Sequence, residues 1–304
     1  MENFSCSHFT EWYNLADDVF SYTIAAIVVS SISIVPSIIL NTAILVAIIR
    51  STSLHTPQNI YMSNLAVSNI GLSSLGIPLS IAWKVLERYH HANELVCFFA
   101  YFSYTVCSFF CGAAFFMVTA ATVDRYLALR LHLTYVTMVT NTRTVIVCMV
   151  FWVISLMFAL LLLIGRMVYS LATSLGILLF MLVMGYCYLK IYHILRHHHN
   201  QMQSQMTSQP NHSSINISRY RKSVITLAYI LAIYIVFYTP YLSSQAVIAF
   251  NGVSVPSLKL WSIGVLLLFV NSFVNPLFHC LKFEDVRIAT WKAILLRMTT
   301  QTES

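Results

Sequence analysis

Seven long apolar runs organise the chain, at about residues 22–49, 60–83, 95–123, 145–165, 167–189, 224–250 and 260–281. None of them contains Lys, Arg, Asp or Glu. Crossing a bilayer as a helix takes roughly 20 apolar residues. A helix satisfies its own backbone polar groups in lipid, where no water can do so. The pattern therefore predicts an all-α membrane protein, a bundle of seven transmembrane helices over residues 22–281. Gly165, Arg166 and a few neighbours are all that divides the fourth run from the fifth.

The polar stretches between the runs set the rest of the organisation. Residues 1–21 are expected to form an extracellular N-terminus. They have no basic n-region and no short apolar core, so they do not read as a cleaved signal peptide. The segment 197–222, "HHHNQMQSQMTSQPNHSSINISRYRK", is rich in Gln, Ser and Asn and is expected to be a flexible cytoplasmic loop. In residues 282–297 the apolar Phe283, Val286, Trp291, Ile294 and Leu295 recur near one helical face, with Lys282, Arg287 and Lys292 among them. That pattern predicts a short amphipathic eighth helix on the inner leaflet, followed by a cytoplasmic tail, 298–304.

Composition agrees with the pattern. The chain is 58% hydrophobic and only 9% charged, with a mean hydropathy of +0.75; a soluble domain carries about 25% charged residues. With the N-terminus outside, thirteen of the 17 Lys and Arg fall on the cytoplasmic side; Lys84, Arg88, Arg166 and Lys259 fall outside. This is a positive-inside bias, and it places the protein as a multi-pass chain of the cell membrane. The net charge of +7 is read as a topology signal, with no nucleic-acid partner. Asn3 begins a glycosylation sequon on the outer side, whereas the sequons at Asn211 and Asn216 fall inside. No cofactor and no metal site is expected. Cys107 and Cys111 are four apart but no histidine joins them, and His197–His199 read as a loop tract.

With charge absent from the runs, the rare polar residues within them carry the information. Asn41 stands in "LNTAILV" and Asn69 in "NLAVSN". The third run ends in "VDRYLAL", with Asp124, Arg125 and Tyr126. The fourth holds Trp152, and the fifth ends in "YLKIY" from Tyr188. The sixth holds "FYTPY", and the seventh "NSFVNPLFH". Singly each is weak, since a lone Asn in a span is usually packing glue. Together, one per run and in this order, they resemble the rhodopsin-like G-protein-coupled receptors over residues 22 to 297.

The resemblance implies a receptor that binds an extracellular ligand and activates a heterotrimeric G protein. In that family the acid of Asp124-Arg125-Tyr126 holds the arginine at rest, and the arginine turns to the G protein on activation. Leu133 corresponds to an apolar G-protein contact. Tyr188, Tyr234, Tyr238, Pro240, Asn275, Pro276 and His279 take the remaining switch positions. Tyr238 replaces the usual tryptophan toggle, and His279 replaces the tyrosine of Asn-Pro-x-x-Tyr. A neutral polar substitute explains His279; its unperturbed pKa of about 6.5 also raises pH-tuned signalling as a hypothesis. Asn41, Asn69, Asn271, Ser272 and Asn275 are expected to form one hydrogen-bonded polar core. It is expected to take up the Ser272 carbonyl that Pro276 leaves without a helical donor.

Several positions depart from the family. Asn69 replaces the helix 2 aspartate that binds sodium, so little sodium sensitivity is expected. Tyr220 stands where many relatives have an acid that locks Arg125, so ligand-free signalling is expected. Phe180 replaces the usual proline of the fifth helix. The connection between the fourth and fifth runs has no cysteine, so the family's usual disulfide is not available. A bond between Cys6 and Cys97 is chemically allowed, against the alternative of two free thiols.

The ligand is the least legible part. The short second outer loop resembles melanocortin receptors, while "NSFVNPLF" and "YLKIY" look closer to adenosine receptors. Neither ligand set carries over: the melanocortin-type acids would be Leu79, Ala100 and Tyr104, and the adenosine-contacting asparagine would be Gln245. The amine-binding aspartate would be Cys107, and the retinal lysine would be Phe269. By family position Cys107, Ser108, Cys111, Tyr238, Tyr241, Gln245 and Phe269 line the cavity. This suits a small neutral or lipophilic ligand. A constitutively active or non-signalling seven-helix protein is the alternative. A transporter would want inverted repeats and ionisable groups in the spans, and an enzyme would want clustered His, Asp or Glu. Neither pattern is present in the sequence.

Overall fold

The computed structural model describes residues 9–90, 94–131, 134–205 and 213–282, with side chains described over 9–89, 94–131, 134–197 and 232–277. Seven helices in it are long and apolar enough to cross a membrane. They are α1 (Phe20–Arg50), α2 (Pro57–Gly71, Leu72–Gly76 and Ile77–His90), α3 (Glu94–Leu131), α4 (Asn141–Ile164), α5 (Arg166–Gln205), α6 (Ser213–Asn251) and α7 (Val255–Lys282). α1 packs on α2 and α7, α3 on α2, α4 and α5, and α6 closes the ring between α5 and α7.

Local chemistry sets the helix starts. Thr56 caps α2 by accepting from the Asn59 N–H, and Pro57 fills the first helical position, where its missing N–H costs nothing. Thr140 caps α4 in the same way, accepting from Arg143. Inside α2 a π-helical turn covers Leu72–Gly76, two residues before Pro78. Pro78 has no N–H to donate, and the wider turn gives its ring room. Gly165 is the single residue between α4 and α5.

The burial pattern is that of a bundle in lipid. In the central windows of α3 and α7 50% is buried, against 22% for α4 and α5. Large apolar side chains such as Ile32, Val35, Met157, Leu163 and Leu175 are exposed, as lipid contact requires.

Two segments differ from the expectation. The proposed loop 197–222 is helical over 197–205 and 213–222. Its Gln, Met, His and Arg residues tolerate helix well, and no Gly or Pro interrupts it before Pro210. The N-terminus also departs from a plain tail: Thr10–Asn14 forms a short helix, and Phe9, Trp12 and Val19 are buried against the bundle. The amphipathic eighth helix, 282–297, falls almost wholly outside the described residues, as do Asn3, Cys6 and Leu133. The side chains of Tyr220 and His279 also lie outside them.

Candidate functional site

A cavity of about 100 Å³ lies toward the face of the bundle that carries the N-terminal segment. α3 contributes Tyr104, Cys107, Ser108 and Cys111, α6 contributes Tyr238 and Tyr241, and α7 contributes Trp261 and Phe269. Six of the seven expected pocket residues are thus brought together. Gln245 is the exception: it is fully buried behind the wall. Its Oε1 accepts from Ser170 at 2.8 Å and its Nε2 donates to the Tyr104 hydroxyl at 2.9 Å. A buried amide with these partners is held as a strut between helices.

Among the described residues no charged side chain lines the cavity. Three of its hydroxyls form a chain of mutual contacts. Ser108 and Tyr169 share a hydrogen bond of 2.6 Å, and Tyr169 and Tyr241 share one of 3.0 Å. Cys107 and Cys111 are free thiols. Tyr104 stands at a position where melanocortin-type receptors carry an acid, whereas Tyr169 and Trp261 had no family signal as pocket residues; their aromaticity alone does not separate a cavity wall from core.

Above the cavity the aromatic rings thicken. Tyr104 stacks on Trp261 at 6.0 Å, and Trp12 meets Trp261 edge-on at 4.6 Å. Phe9 lies 5.4 Å from Trp83. Lys84, expected as a simple outer charge, is drawn into this layer. Its Nζ lies 4.0 Å from the Trp83 ring centre and 2.9 Å from Glu87. The ion pair neutralises both groups, and the ring faces replace water around the ammonium. Burial, and then the Glu87 charge, push the Tyr13 phenol pKa upward. Cys97 is disulfide-bonded and is therefore not a free thiol; its expected partner, Cys6, lies outside the described residues.

Below the cavity Tyr238 forms the floor, 4.6 Å from Phe115. It stacks on Tyr234 at 5.6 Å, and the Tyr234 hydroxyl accepts from Asn275 at 2.6 Å. Phe180, in the place of the usual proline, packs against Phe116 at 4.9 Å.

The polar core divides into two. Asn69 donates to the Asn41 carbonyl oxygen at 3.1 Å. Asn41 donates to the Ser272 backbone carbonyl at 3.0 Å, and Ser37 donates to it at 3.2 Å. The carbonyl that Pro276 leaves free is therefore taken up by a member of the expected core, Asn41, with Ser37 of α1 as a second donor. Asn275 donates to Tyr234 instead, and the Asn271 Oδ1 has no hydrogen bond among the described residues. The reason is reach: α1 packs directly along α7, and its serines bring short hydroxyls to the kink. Ser37 and Ser73, joined at 2.7 Å, belong to this core. Serine is common in membrane helices, so nothing in the pattern marked them. Trp152 donates to Asn64 at 3.0 Å, tying α4 to α2.

At the opposite face Asp124 is buried and accepts from the Tyr135 hydroxyl at 2.8 Å. Burial and this hydrogen bond raise the Tyr135 pKa. Tyr135 sits one turn into the connection after α3 and had no motif to announce it. Arg125 is half-buried and Tyr188 is buried. The Tyr126 hydroxyl accepts from Arg130 at 3.0 Å.

Comparison with known proteins is consistent with this layout. The sequence model of the 7 transmembrane receptor (rhodopsin family) matches residues 40–174 and 166–279. Trace amine-associated receptor 9 of Homo sapiens is 24% identical over 80% of this chain and 77% of its own length. Adenosine receptor A2b of Canis lupus familiaris is 23% identical over 86% and 87%, and melanocortin receptor 5 of Rattus norvegicus 23% over 85% and 80%.

Proposed function

Since the chain belongs to the rhodopsin family of seven-transmembrane receptors, and is a G-protein-coupled receptor rather than an enzyme, we propose the following working arrangement. The N-terminal face is extracellular and the Asp124-Arg125-Tyr126 face is cytoplasmic in the cell membrane. The positive-inside distribution of Lys and Arg supports this orientation. The ligand sits in the cavity over Tyr238, and Arg125 meets the G protein at the far end, with Leu133 as a further contact by family position.

One observation carries the reading. The cavity floor is mechanically continuous with the switch region: Tyr238 stacks on Tyr234, and Tyr234 holds Asn275 one residue before Pro276. A ligand that displaces Tyr238 changes a packed column, and packed columns have discrete arrangements rather than continuous ones. Both helices carry a proline at this level, Pro240 and Pro276, so each already has a weakened backbone point at which to bend.

High basal activity belongs to the same proposal. No acid stands at Tyr220 to hold Arg125 from α6, and Asp124 shares its carboxylate with Tyr135. The test is G-protein activation in cells reporting several pathways, at verified surface expression. Wild type is expected to signal without added ligand, and Arg125→Ala to abolish the signal. Signalling that survives Arg125→Ala unchanged overturns the switch assignment. A silent wild type that also ignores a ligand library favours the non-signalling alternative.

A further inference from the structure

Aromatic side chains of the N-terminal segment are packed over the bundle where a water-borne ligand would enter. Phe9 and Trp12 are 1% and 2% exposed. Trp12 meets Trp261 at 4.6 Å, and Phe9 meets Tyr101 at 5.1 Å. The segment is fastened on two sides. Glu11 pairs with Arg166 of α5 at 2.6 Å, and Asp17 pairs with Arg88 of α2. Under it lies the Lys84–Glu87 pair among the indoles. To pass this layer a ligand must lift two buried aromatic side chains.

The wall toward α4 and α5 is different. There the lining residues are Phe158 and Ala159 of α4 with Thr173, Gly176 and Ile177 of α5. Phe158, Gly176 and Ile177 are only half-buried, and their neighbours Met157, Leu175 and Leu178 are exposed on the lipid side. Residues that line the cavity therefore alternate along α4 and α5 with residues on the lipid side. Gly176 adds no side chain to the wall, and a Cβ placed there would lie 3.3 Å from the Phe158 ring. A rotation of Phe158 over Gly176 would open the cavity sideways.

We infer that the cavity is loaded from the bilayer, through the seam between α4 and α5 past Phe158 and Gly176, under a fixed N-terminal lid. Its ligand is then an uncharged, membrane-dissolved lipophile with a hydrogen-bonding group. Among the described residues the lining has no charge to meet an ion, and the Ser108–Tyr169–Tyr241 hydroxyls offer the polar contact. A charged molecule would lose its hydration without a partner. The inference rests on reading the cavity as a ligand site.

The test uses the full-length receptor in lipid nanodiscs and an alkyne-tagged, diazirine-bearing monoacylglycerol as the probe. Labelling is followed over time and mapped by mass spectrometry, with the matching fatty-acid carboxylate as the charged control. The expected result is labelling of the cavity peptides by the monoacylglycerol and little by the carboxylate. Gly176→Trp is expected to slow labelling about tenfold, Phe158→Ala to speed it, and Trp12→Ala to leave its rate alone. No cavity labelling, or equal labelling by the carboxylate, overturns the ligand class. Wild-type rates in both seam variants, or acceleration by Trp12→Ala in place of Phe158→Ala, overturn the route. G-protein activation measured in the same nanodiscs keeps the two readings apart. Seam-dependent labelling without any activation refutes the receptor mechanism and leaves the route standing. Activation with seam-independent labelling does the reverse.

Discussion

Asn41→Ala is the substitution that separates the observed polar core from the single cluster its sequence suggests. Asn41 is 1% exposed. Its amide donates to the Ser37 carbonyl at 2.8 Å and the Ser272 carbonyl at 3.0 Å, and its oxygen accepts from Asn69 at 3.1 Å. The Ser37 bond is within α1 and costs little when lost, since that carbonyl has its own helical donor. The other two join α1 to α7 and to α2. Interhelical polar bonds in membrane proteins contribute about 0.6–1.7 kcal/mol each, so the truncation is expected to cost about 2 kcal/mol. For a chain of this size that is a fall in Tm of roughly 4–8 °C. The assay is thermal unfolding in detergent read by a thiol-reactive dye. Cys148 and Cys187 are free and buried and report the loss of packing. A double-mutant cycle then gives the decisive number. Asn41 and Asn69 are expected to couple by about 1 kcal/mol, and Asn41 and Asn275 by close to nothing, because Asn275 is spent on Tyr234. Equal coupling to Asn69 and Asn275, or no effect of Asn41→Ala at all, refutes the division.

Three further outcomes follow from the same geometry. A Cβ at Gly264 would lie 2.7 Å from the Tyr241 backbone, so Gly264→Ala is expected to push α6 off α7 and cost about 1–3 kcal/mol; Gly185→Ala, with open space around it, is expected to raise Tm slightly, and the two melts side by side check this. Gln245→Leu is expected to lower Tm by several degrees while Gln245→Glu retains the Tyr104 or the Ser170 contact only in part; a neutral Gln245→Leu would show that the strut carries no load. Near-physiological sodium is expected to leave agonist affinity and Tm unchanged in the wild type. Asn69→Asp, which sets a carboxylate among Ser37, Asn41, Ser73 and Ser272, is expected to create a sodium-dependent rise in Tm.

Much of the site was readable because membrane helices restrict polar residues so severely. Asn41, Asn69 and Ser272 stood out as rare polar groups inside apolar runs, and the six cavity residues followed from the family resemblance. What failed were contacts whose partner is distant in sequence. The bond from Asn41 to the Ser272 carbonyl spans 231 positions, and the one from Gln245 to Tyr104 spans 141. Nothing local in either residue tells a lining group from a strut. The N-terminal lid was missed for a related reason: "FTEWYNLADD" is short and mixed, with no periodicity strong enough to predict a buried face.

The chain pattern by itself determined the number of spans, the helical class and the level along each helix at which a polar group stands. These follow from single-chain physics: lipid forbids unsatisfied backbone and unpaired charge, so length and polarity decide them. Tertiary structure alone decided which polar groups meet, that Trp12 packs on Trp261 above the cavity, and that Phe158 and Gly176 line its side. Those outcomes depend on the rotation of each helix about its own axis. Lipid is as apolar as most side chains, so rotation is fixed only by close packing between neighbours.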